Sequence, residues 1–245
     1  MRTPEANLDL VSDHSSPADS DATAPFGASG PAIDPTVLSR YAESAIVEDE
    51  ALRLARERSD ELGAPAITPA VGATLSLLGR LVDAKSVVEV GTGAGISGLW
   101  LLNGMRTDGV LTTIDAEAEY HRAARLAFTT AGISPSRTRL INGRAAEVLP
   151  RLADASYDLV FVDGAVTDQP RYVAEGLRLL RGGGILIVHN ASADGTVADP
   201  ANTDPAARAA REGALLIADD DTLLPVVIPL GRGLLAAAKA RTDAG

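Results

Sequence analysis

The chain lacks cysteine, is poor in aromatic residues and contains no long apolar run. Without cysteine it can hold neither a disulfide framework nor a cysteine-ligated zinc ion. No stretch approaches the roughly 18 to 20 consecutive apolar residues of a membrane-spanning helix, and the N-terminus lacks the apolar centre of a signal peptide. These absences predict a cytoplasmic protein.

Basic residues are also scarce relative to acidic ones. The chain has 22 Lys and Arg against 33 Asp and Glu, which gives a formal net charge of -11. Nucleic acids and anionic membranes are both bound through basic surfaces. The charge therefore argues against both as main partners.

The sequence divides into a tail and one domain. Residues 1–33 are rich in Ser, Asp, Ala, Pro and Gly and show no periodicity. Because this segment has too few large apolar side chains to offset chain entropy, we predict a disordered tail. Residues 34–245 are predicted as a single domain that opens with helices over residues 34–82, since a chain with 46% hydrophobic residues can bury one core.

Two helical stretches open this domain. Asp34 and the proline after it predict an N-cap, and Gly63 predicts the end of one continuous helical stretch. Apolar positions among many charges predict that this amphipathic helix lies on the core. Thr68 and the next proline predict a second helix, which ends at Leu81 and packs on the sheet.

The rest of the chain is organised around one glycine-rich stretch. The apolar run Ser86–Val90 gives way to glycines at 91, 93, 95 and 98, and a helix-compatible run follows. This pattern predicts a buried strand, a tight turn and a helix. Glycines let the backbone approach a ligand, and the helix N-terminus adds unpaired N–H donors. We therefore interpret the stretch as a cofactor-binding turn.

Two cofactors compete for this turn. Gly93-x-Gly95-x-x-Gly98 matches the dinucleotide fingerprint, so an NAD-dependent oxidoreductase is one alternative. Glu89 favours S-adenosylmethionine (SAM), because a carboxylate just before the glycines would repel a pyrophosphate but suits a ligand with ammonium and sulfonium groups. Asp115 closes the next strand, where a carboxylate bonds the ribose hydroxyls of either cofactor.

Strands and helices alternate after this turn. Apolar runs end near residues 115, 142, 163 and 190, and the glycines at 182–184 are predicted to end the helix before the last of these strands. Two final apolar runs flank Gly231-Arg232-Gly233, which predicts a β-hairpin. We predict an α/β fold with a doubly wound, mostly parallel sheet, closed by a C-terminal antiparallel hairpin. The hairpin also favours SAM over NAD.

A family resemblance rests on three segments of the sequence. These are Glu89–Ser97, the strand that ends at Asp115, and Tyr157–Asp163. They resemble the SAM-dependent O-methyltransferases related to catechol and caffeoyl-CoA O-methyltransferase, and look closest to an actinobacterial branch. The resemblance covers the chain from about Ile67 to the C-terminus. It implies a Rossmann-like class I methyltransferase fold and a homodimer whose first helices contact the second subunit.

The resemblance also implies which residues contact SAM. Ile67 falls where the family contacts the cofactor, although an ordinary hydrophobic contact before a helix cap explains it equally well. Arg144 stands where the family usually has Asp, and it can stack on adenine but cannot accept a hydrogen bond from its amino group. The predicted set is Ile67, Glu89, Gly91, Thr92, Gly93, Gly95, Ser97, Asp115, Ala145 and Asp163.

Two departures from the family concern a metal site. Metal-dependent members carry Asp-Ala-x-Lys after the fourth strand and Asp-Asn after the fifth. This chain has Asp163 followed by Gly-Ala-Val, and His189 before Asn190. Magnesium prefers oxygen ligands, so the imidazole disfavours it, whereas zinc, manganese or iron would tolerate the change. Any metal site would consist of Asp163, His189 and Asn190.

His189 has three open interpretations. Imidazole, with a pKa of about 6.5 in model peptides, is suited to act as the general base where the family uses metal and lysine. Alternatively, His189 is a ligand of a softer metal, or it pairs with Asp163 and only holds the strand ends. We predict Asp163 and His189 as the catalytic residues of a SAM-dependent O-methyltransferase acting on a small hydroxylated molecule, aromatic ones included. A SAM-binding protein without catalysis and the NAD-dependent oxidoreductase remain alternatives.

Overall fold

A computed structural model describes residues 34–241, so the tail predicted over residues 1–33 lies outside the described residues. The helices are α1 (Pro35–Ser44), α2 (Glu50–Leu62), α3 (Pro69–Leu81), α4 (Ile96–Gly104), α5 (Ala118–Thr130), α6 (Ala145–Val148), α7 (Gln169–Leu179) and α8 (Pro205–Ala218). The strands are β1 (Ser86–Val90), β2 (Val110–Asp115), β3 (Thr138–Asn142), β4 (Tyr157–Val162), β5 (Leu180–His189), β6 (Leu223–Ile228) and β7 (Leu234–Lys239). None of the helices in this part of the chain is long and apolar enough to cross a membrane.

The strands form one seven-stranded sheet in the order β3-β2-β1-β4-β5-β7-β6. Strands β1 to β5 are parallel, and β7 runs antiparallel to both β5 and β6. Buried apolar side chains cover both faces of the sheet, as expected for parallel strands between two layers of helices. The predicted doubly wound sheet with a C-terminal antiparallel hairpin is confirmed.

The continuous helix predicted before Gly63 is wrong, because α1 ends at Ser44 and α2 begins at Glu50. Asp49 explains the restart. Its carboxylate accepts a hydrogen bond from the N–H of Leu52 at 2.9 Å and caps a new helix. Whereas α2 buries part of its apolar face, α1 buries no side chain, so only α2 lies on the core as predicted.

The glycines at 182–184 do not separate a helix from a strand, contrary to the prediction. Strand β5 begins at Leu180, directly after α7, so the glycines lie inside the strand. The pairing of β5 with β4 shifts register between Tyr157 and Leu159 at this point. Gly183 has φ +77°, a conformation that lets the strand continue through the irregularity.

A buried carboxylate ties the strands together at their amino ends. Asp158, near the start of β4, accepts hydrogen bonds at Oδ2 from the backbone N–H groups of Lys85 (2.7 Å) and Ser86 (2.6 Å). Its Oδ1 accepts a hydrogen bond from Nε of Arg181 at 2.5 Å. Both oxygens are engaged, so Asp158 holds β1, β4 and β5 to one another at this edge.

Candidate active site

A cavity of about 570 Å³ opens at the carboxyl ends of the parallel strands. It lies beside β1 and β4, where the strand order reverses and where doubly wound sheets bind their ligands. The glycine turn after β1, the ends of β2 and β4, and the segments after β3 and β5 line it. The volume falls in the range of roughly 300–1,000 Å³ typical of small-molecule sites. We therefore take this cavity as the candidate active site.

Most residues predicted for the site meet in this cavity. The lining includes Ile67, Gly91, Thr92, Gly93, Ser97, Asp115, Ala145, Asp163 and Asn190. Glu89, Gly95 and His189 are not among the lining residues, although each is next in sequence to a residue that is. Any influence of these three residues on the cavity passes through those neighbours.

The turn needs glycine at two points for different reasons. Gly91 has φ +95°, and a Cβ there would lie 2.4 Å from the carbonyl oxygen of Asp163. Gly95 has φ +91°, and a Cβ there would lie 2.9 Å from Cα of Ala124 on α5. Any larger residue would move the turn away from the strand end or from the helix. Gly91 thus shapes the cavity wall, whereas Gly95 packs the turn from behind.

Asp115 holds the glycine turn as well as lining the cavity. Its Oδ2 accepts a hydrogen bond from the N–H of Gly93 at 3.1 Å, and its Oδ1 accepts one from the N–H of Glu117 at 3.0 Å. A carboxylate has about four acceptor positions, so capacity is left for a ligand. Strand β2 therefore ends in a fixed acceptor of the kind that binds vicinal hydroxyls.

Glu89 is a fully buried carboxyl group. Its exposure is 0%, and within residues 34–241 neither oxygen has a hydrogen-bond partner. Burial raises the pKa of Glu89 to about 8; the nearby hydroxyls of Ser97 and Thr113 lower it in part, and the charges of Asp163 and Asp115 raise it. In the free protein Glu89 is therefore mostly protonated at neutral pH, which differs from the ionised carboxylate assumed from the sequence.

Asp163 and His189 form a bonded pair at the ends of β4 and β5. Nδ1 of His189 lies 2.6 Å from Oδ1 of Asp163. An ionised carboxylate can only accept, so the ring N–H donates. The side chain of Asp163 is 26% exposed and lines the cavity, whereas that of His189 is 8% exposed and lies behind it. Asp163 is thus the member of the pair that a ligand can reach.

Gln169, which sequence reasoning did not single out, supports this pair. It is the first residue of α7 and is 2% exposed. Its Nε2 donates to the carbonyl oxygen of His189 at 3.0 Å and lies 3.4 Å from that of Asn190. The one available signal was its place at the start of the helix that follows Asp163. A bond from that helix to the end of β5 leaves no pattern in a single sequence.

Two further residues missed from the sequence form part of the cavity rim. Arg232, in the turn between β6 and β7, and Asp194, in the segment after β5, both line the cavity and form an ion pair. Their hydrogen bond lowers the pKa of Asp194 and raises that of Arg232. Asn190 supports the rim, because its Oδ1 accepts a hydrogen bond from the N–H of Asp194 at 3.0 Å. The hairpin turn was visible in the sequence, but its position over the cavity was not.

The family resemblance implied that any divalent metal would be held by Asp163, His189 and Asn190. Two of their donor atoms are already bonded within the protein: Nδ1 of His189 to Asp163, and Oδ1 of Asn190 to the backbone N–H of Asp194. In the described part of the chain, no group of three or more His, Cys, Asp or Glu side chains is arranged to hold a metal ion. The bonds that these side chains already make disfavour a metal there, and the chemistry proposed below uses none.

The fold and the cavity define the class of protein. A parallel sheet whose order reverses beside a glycine turn, with an acid at the end of the second strand, is a Rossmann-like fold for a cofactor that contains a nucleoside. The chain matches the O-methyltransferase family over residues 41–240. A protein of Mycobacterium sp. (strain JLS), named as a candidate O-methyltransferase, is 62% identical over 199 residues, which cover 81% of this chain and 90% of that protein.

Solved structures agree with this match. A protein of Corynebacterium glutamicum is 35% identical with a TM-score of 0.79, and the alignment covers 86% of this chain and 99% of that one. The O-methyltransferase TomG of Streptomyces achromogenes, involved in tomaymycin synthesis and solved in complex with SAM, is 31% identical with a TM-score of 0.76, over 83% and 96% of the two chains. This chain belongs to the O-methyltransferase family, and the family predicted from the sequence is confirmed.

Proposed function

We propose that this protein is a SAM-dependent O-methyltransferase that methylates a hydroxyl group of a small molecule. The observation that carries the proposal is the cavity, which brings together the glycine turn with Asp115 and the pair formed by Asp163 and His189. The turn and Asp115 suit a nucleoside cofactor, and the pair suits a hydroxyl that loses its proton. TomG supports the choice of cofactor, because that relative was solved with SAM.

The residues around the cavity fit SAM. Asp115 offers a fixed carboxylate for the ribose hydroxyls. Gly91 keeps the turn free of a Cβ beside Asp163, which leaves room for the amino-acid part of the cofactor. We assign direct contacts to Ile67, Gly91, Thr92, Gly93, Ser97, Asp115, Ala145 and Asp163, with Glu89 and Gly95 acting from behind the wall. Bound SAM supplies a methyl group that its positive sulfur already activates.

Asp163 is placed to receive the proton of the substrate. Its Oδ1 is engaged by His189, and its Oδ2 has no hydrogen-bond partner in residues 34–241. A substrate hydroxyl held at Oδ2 would lose its proton to that atom while the oxygen–methyl bond forms and the sulfur–methyl bond breaks. The cavity walls align the hydroxyl and exclude water.

His189 acts through Asp163 in this proposal and is a positioning residue. Its ring is buried behind the cavity wall, and its Nδ1–H fixes one oxygen of Asp163 so that the other is directed to the ligand. Gln169 holds the backbone of His189 in turn. Direct proton transfer to His189, one of the three interpretations that the sequence left open, would require a substrate to pass Asp163.

We further propose that the protein is a cytoplasmic homodimer. Val37, Leu38 and Tyr41 on α1 are 52%, 57% and 69% exposed, and apolar side chains grouped on one helix suit a second subunit. Sedimentation of the parent protein and of Leu38→Asp tests the assembly. A dimer is expected for the parent and a monomer for the variant, whereas a monomeric parent would contradict the proposal.

Methyl transfer tests the function. The purified protein, treated with chelator, is incubated with SAM and a panel of phenols, catechols and aliphatic alcohols, and S-adenosylhomocysteine (SAH) is measured. We expect turnover that survives chelation, falls in Asp163→Asn and persists in the exposed control Asp221→Asn. Thermal stabilisation by NAD but not by SAM would favour the oxidoreductase, and stabilisation by SAM without transfer to any acceptor would favour a binding protein.

A further inference from the structure

Glu89 combines complete burial with two unpartnered oxygens. Its exposure is 0%, and neither carboxyl oxygen has a hydrogen-bond partner in the described residues. An ionised carboxylate in such a place lacks both water and a counter-charge, so the free protein favours its protonated form. The proposed reaction does not use this group directly, and its burial therefore needs another explanation.

The position of Glu89 couples it to the cavity. It lies on β1 between Thr113 of β2 and Phe161 of β4 in the sheet register. The next residue, Val90, lines the cavity, and so does Ser97, whose hydroxyl is one of the two that influence Glu89. A charge in the cavity would act on Glu89 across protein atoms of low dielectric constant, where Coulomb interactions are strong.

The two charged groups with the largest influence on Glu89 are both negative. Asp115 faces it from the end of β2 and Asp163 from the end of β4, while Ser97 of α4 and Thr113 of β2 contribute only hydroxyls. Positive charge must therefore come from a proton or from a ligand. Consistent with this, burial raises the pKa of Glu89 to about 8.

We propose that Glu89 exchanges its proton for the positive charge of SAM, so that the protein binds the charged cofactor more tightly than the product SAH. This inference rests on the proposed function. When SAM binds, the carboxyl O–H bond of Glu89 breaks and the proton goes to solvent. Methyl transfer then turns the sulfonium into a neutral thioether, and Glu89 takes a proton back as SAH leaves. Glu89 is thus a specificity residue for the charge state of the cofactor.

Proton release on binding is the test. Calorimetric titration with SAM and with SAH, at pH 7 in two buffers of different ionisation enthalpy, counts the protons released by the parent, by Glu89→Gln and by the exposed control Glu57→Gln. With a pKa of about 8, Glu89 holds about 0.9 proton at pH 7, which sets the most it can release. With SAM, we expect the parent and Glu57→Gln to release at least half a proton more than Glu89→Gln. With SAH, we expect the parent and Glu57→Gln to release clearly fewer protons than they release with SAM.

Three outcomes separate the possibilities. If Glu89→Gln releases as many protons as the parent, or SAH as many as SAM, the exchange at Glu89 is wrong while the proposed function stands. If the parent does not bind SAM, the proposed function is wrong and the inference with it. Infrared difference spectra of the parent alone, in which SAM should remove the band of a protonated carboxyl group, keep the test decisive should Glu89→Gln fail to fold.

Discussion

Two buried carboxyl groups lie at opposite ends of the same strands, and they are bonded in opposite ways. Asp158, at the amino ends, has both oxygens engaged by two backbone N–H groups and Arg181. Glu89, at the carboxyl end of β1, has no partner for either oxygen in the described part of the chain. Both belong to one sheet and are almost completely removed from solvent.

The difference separates a group that holds the fold from one that is held ready for a ligand. A buried carboxylate with all its oxygens bonded strengthens the elements it joins. A buried carboxyl group without partners costs stability whenever it is ionised, so its presence points to a role outside the folding of the free protein. The cavity lies at the end of the sheet where Glu89 is found.

The largest expected effect is the dependence of stability on pH that Glu89 causes. Its folded pKa of about 8 is raised above the ordinary value of 4.5. The stabilisation that protonated Glu89 gives to the folded protein is therefore fully present below about pH 4.5. At most about 5 kcal/mol of it is lost as the pH rises toward about 8. Urea unfolding of the ligand-free protein at several pH values measures it. In Glu89→Gln the loss over this range should be much smaller, and an unchanged loss would place its origin in other groups.

Replacing Asp158 should lower the stability of the protein without changing how it binds the cofactor. Asp158→Ala leaves two buried backbone N–H groups without an acceptor and Arg181 without its partner, so unfolding should require about 3 kcal/mol less free energy. The affinity for SAM of the protein that remains folded should be unchanged. Asp221→Ala, at an exposed position, is the matched control. Equal melting temperatures for the two variants would remove the distinction between the two ends of the sheet.

Asp163→Asn should lower the rate without lowering stability. The amide keeps the shape of the side chain but is a poor proton acceptor, so kcat should fall about 100-fold, which is about 2.7 kcal/mol of transition-state stabilisation. The melting temperature should stay within a few degrees of the parent. A variant that retains full kcat would show that catalysis rests on alignment alone.

His189→Gln should have the smallest effect. Glutamine can still donate to Asp163 from a similar place, so we expect kcat to fall by about tenfold with KM for SAM unchanged, and His189→Ala to be worse. The positioning role predicts that the pH profile of kcat keeps its shape in His189→Gln. A changed shape of that profile, together with a fall in kcat as large as in Asp163→Asn, would instead make His189 the direct base.

Several parts of the site could be predicted because they follow from rules that act along the chain. The carboxyl ends of parallel strands meet at one edge, so the convergence of Asp115, Asp163 and His189 followed from placing each at the end of a strand. The break in the first helix was missed although Asp49 is a good capping residue, because the apolar pattern on either side suggested one helix. The roles of Gln169 and Arg232 depend on contacts between distant segments, for which a single sequence carries no signal.

The sequence by itself determined the fold class, the cofactor turn and the family, because alternating apolar runs, closely spaced glycines and strand-end acids impose local geometry that repeats in every parallel sheet. Only the tertiary structure decided how each side chain is used. It placed His189 behind Asp163, left Glu89 without a partner and joined Arg232 to Asp194 at the rim. Burial, hydrogen-bond partners and charge neighbours arise from residues far apart in sequence, and those relations decide which carboxyl groups are ionised and which can reach a ligand.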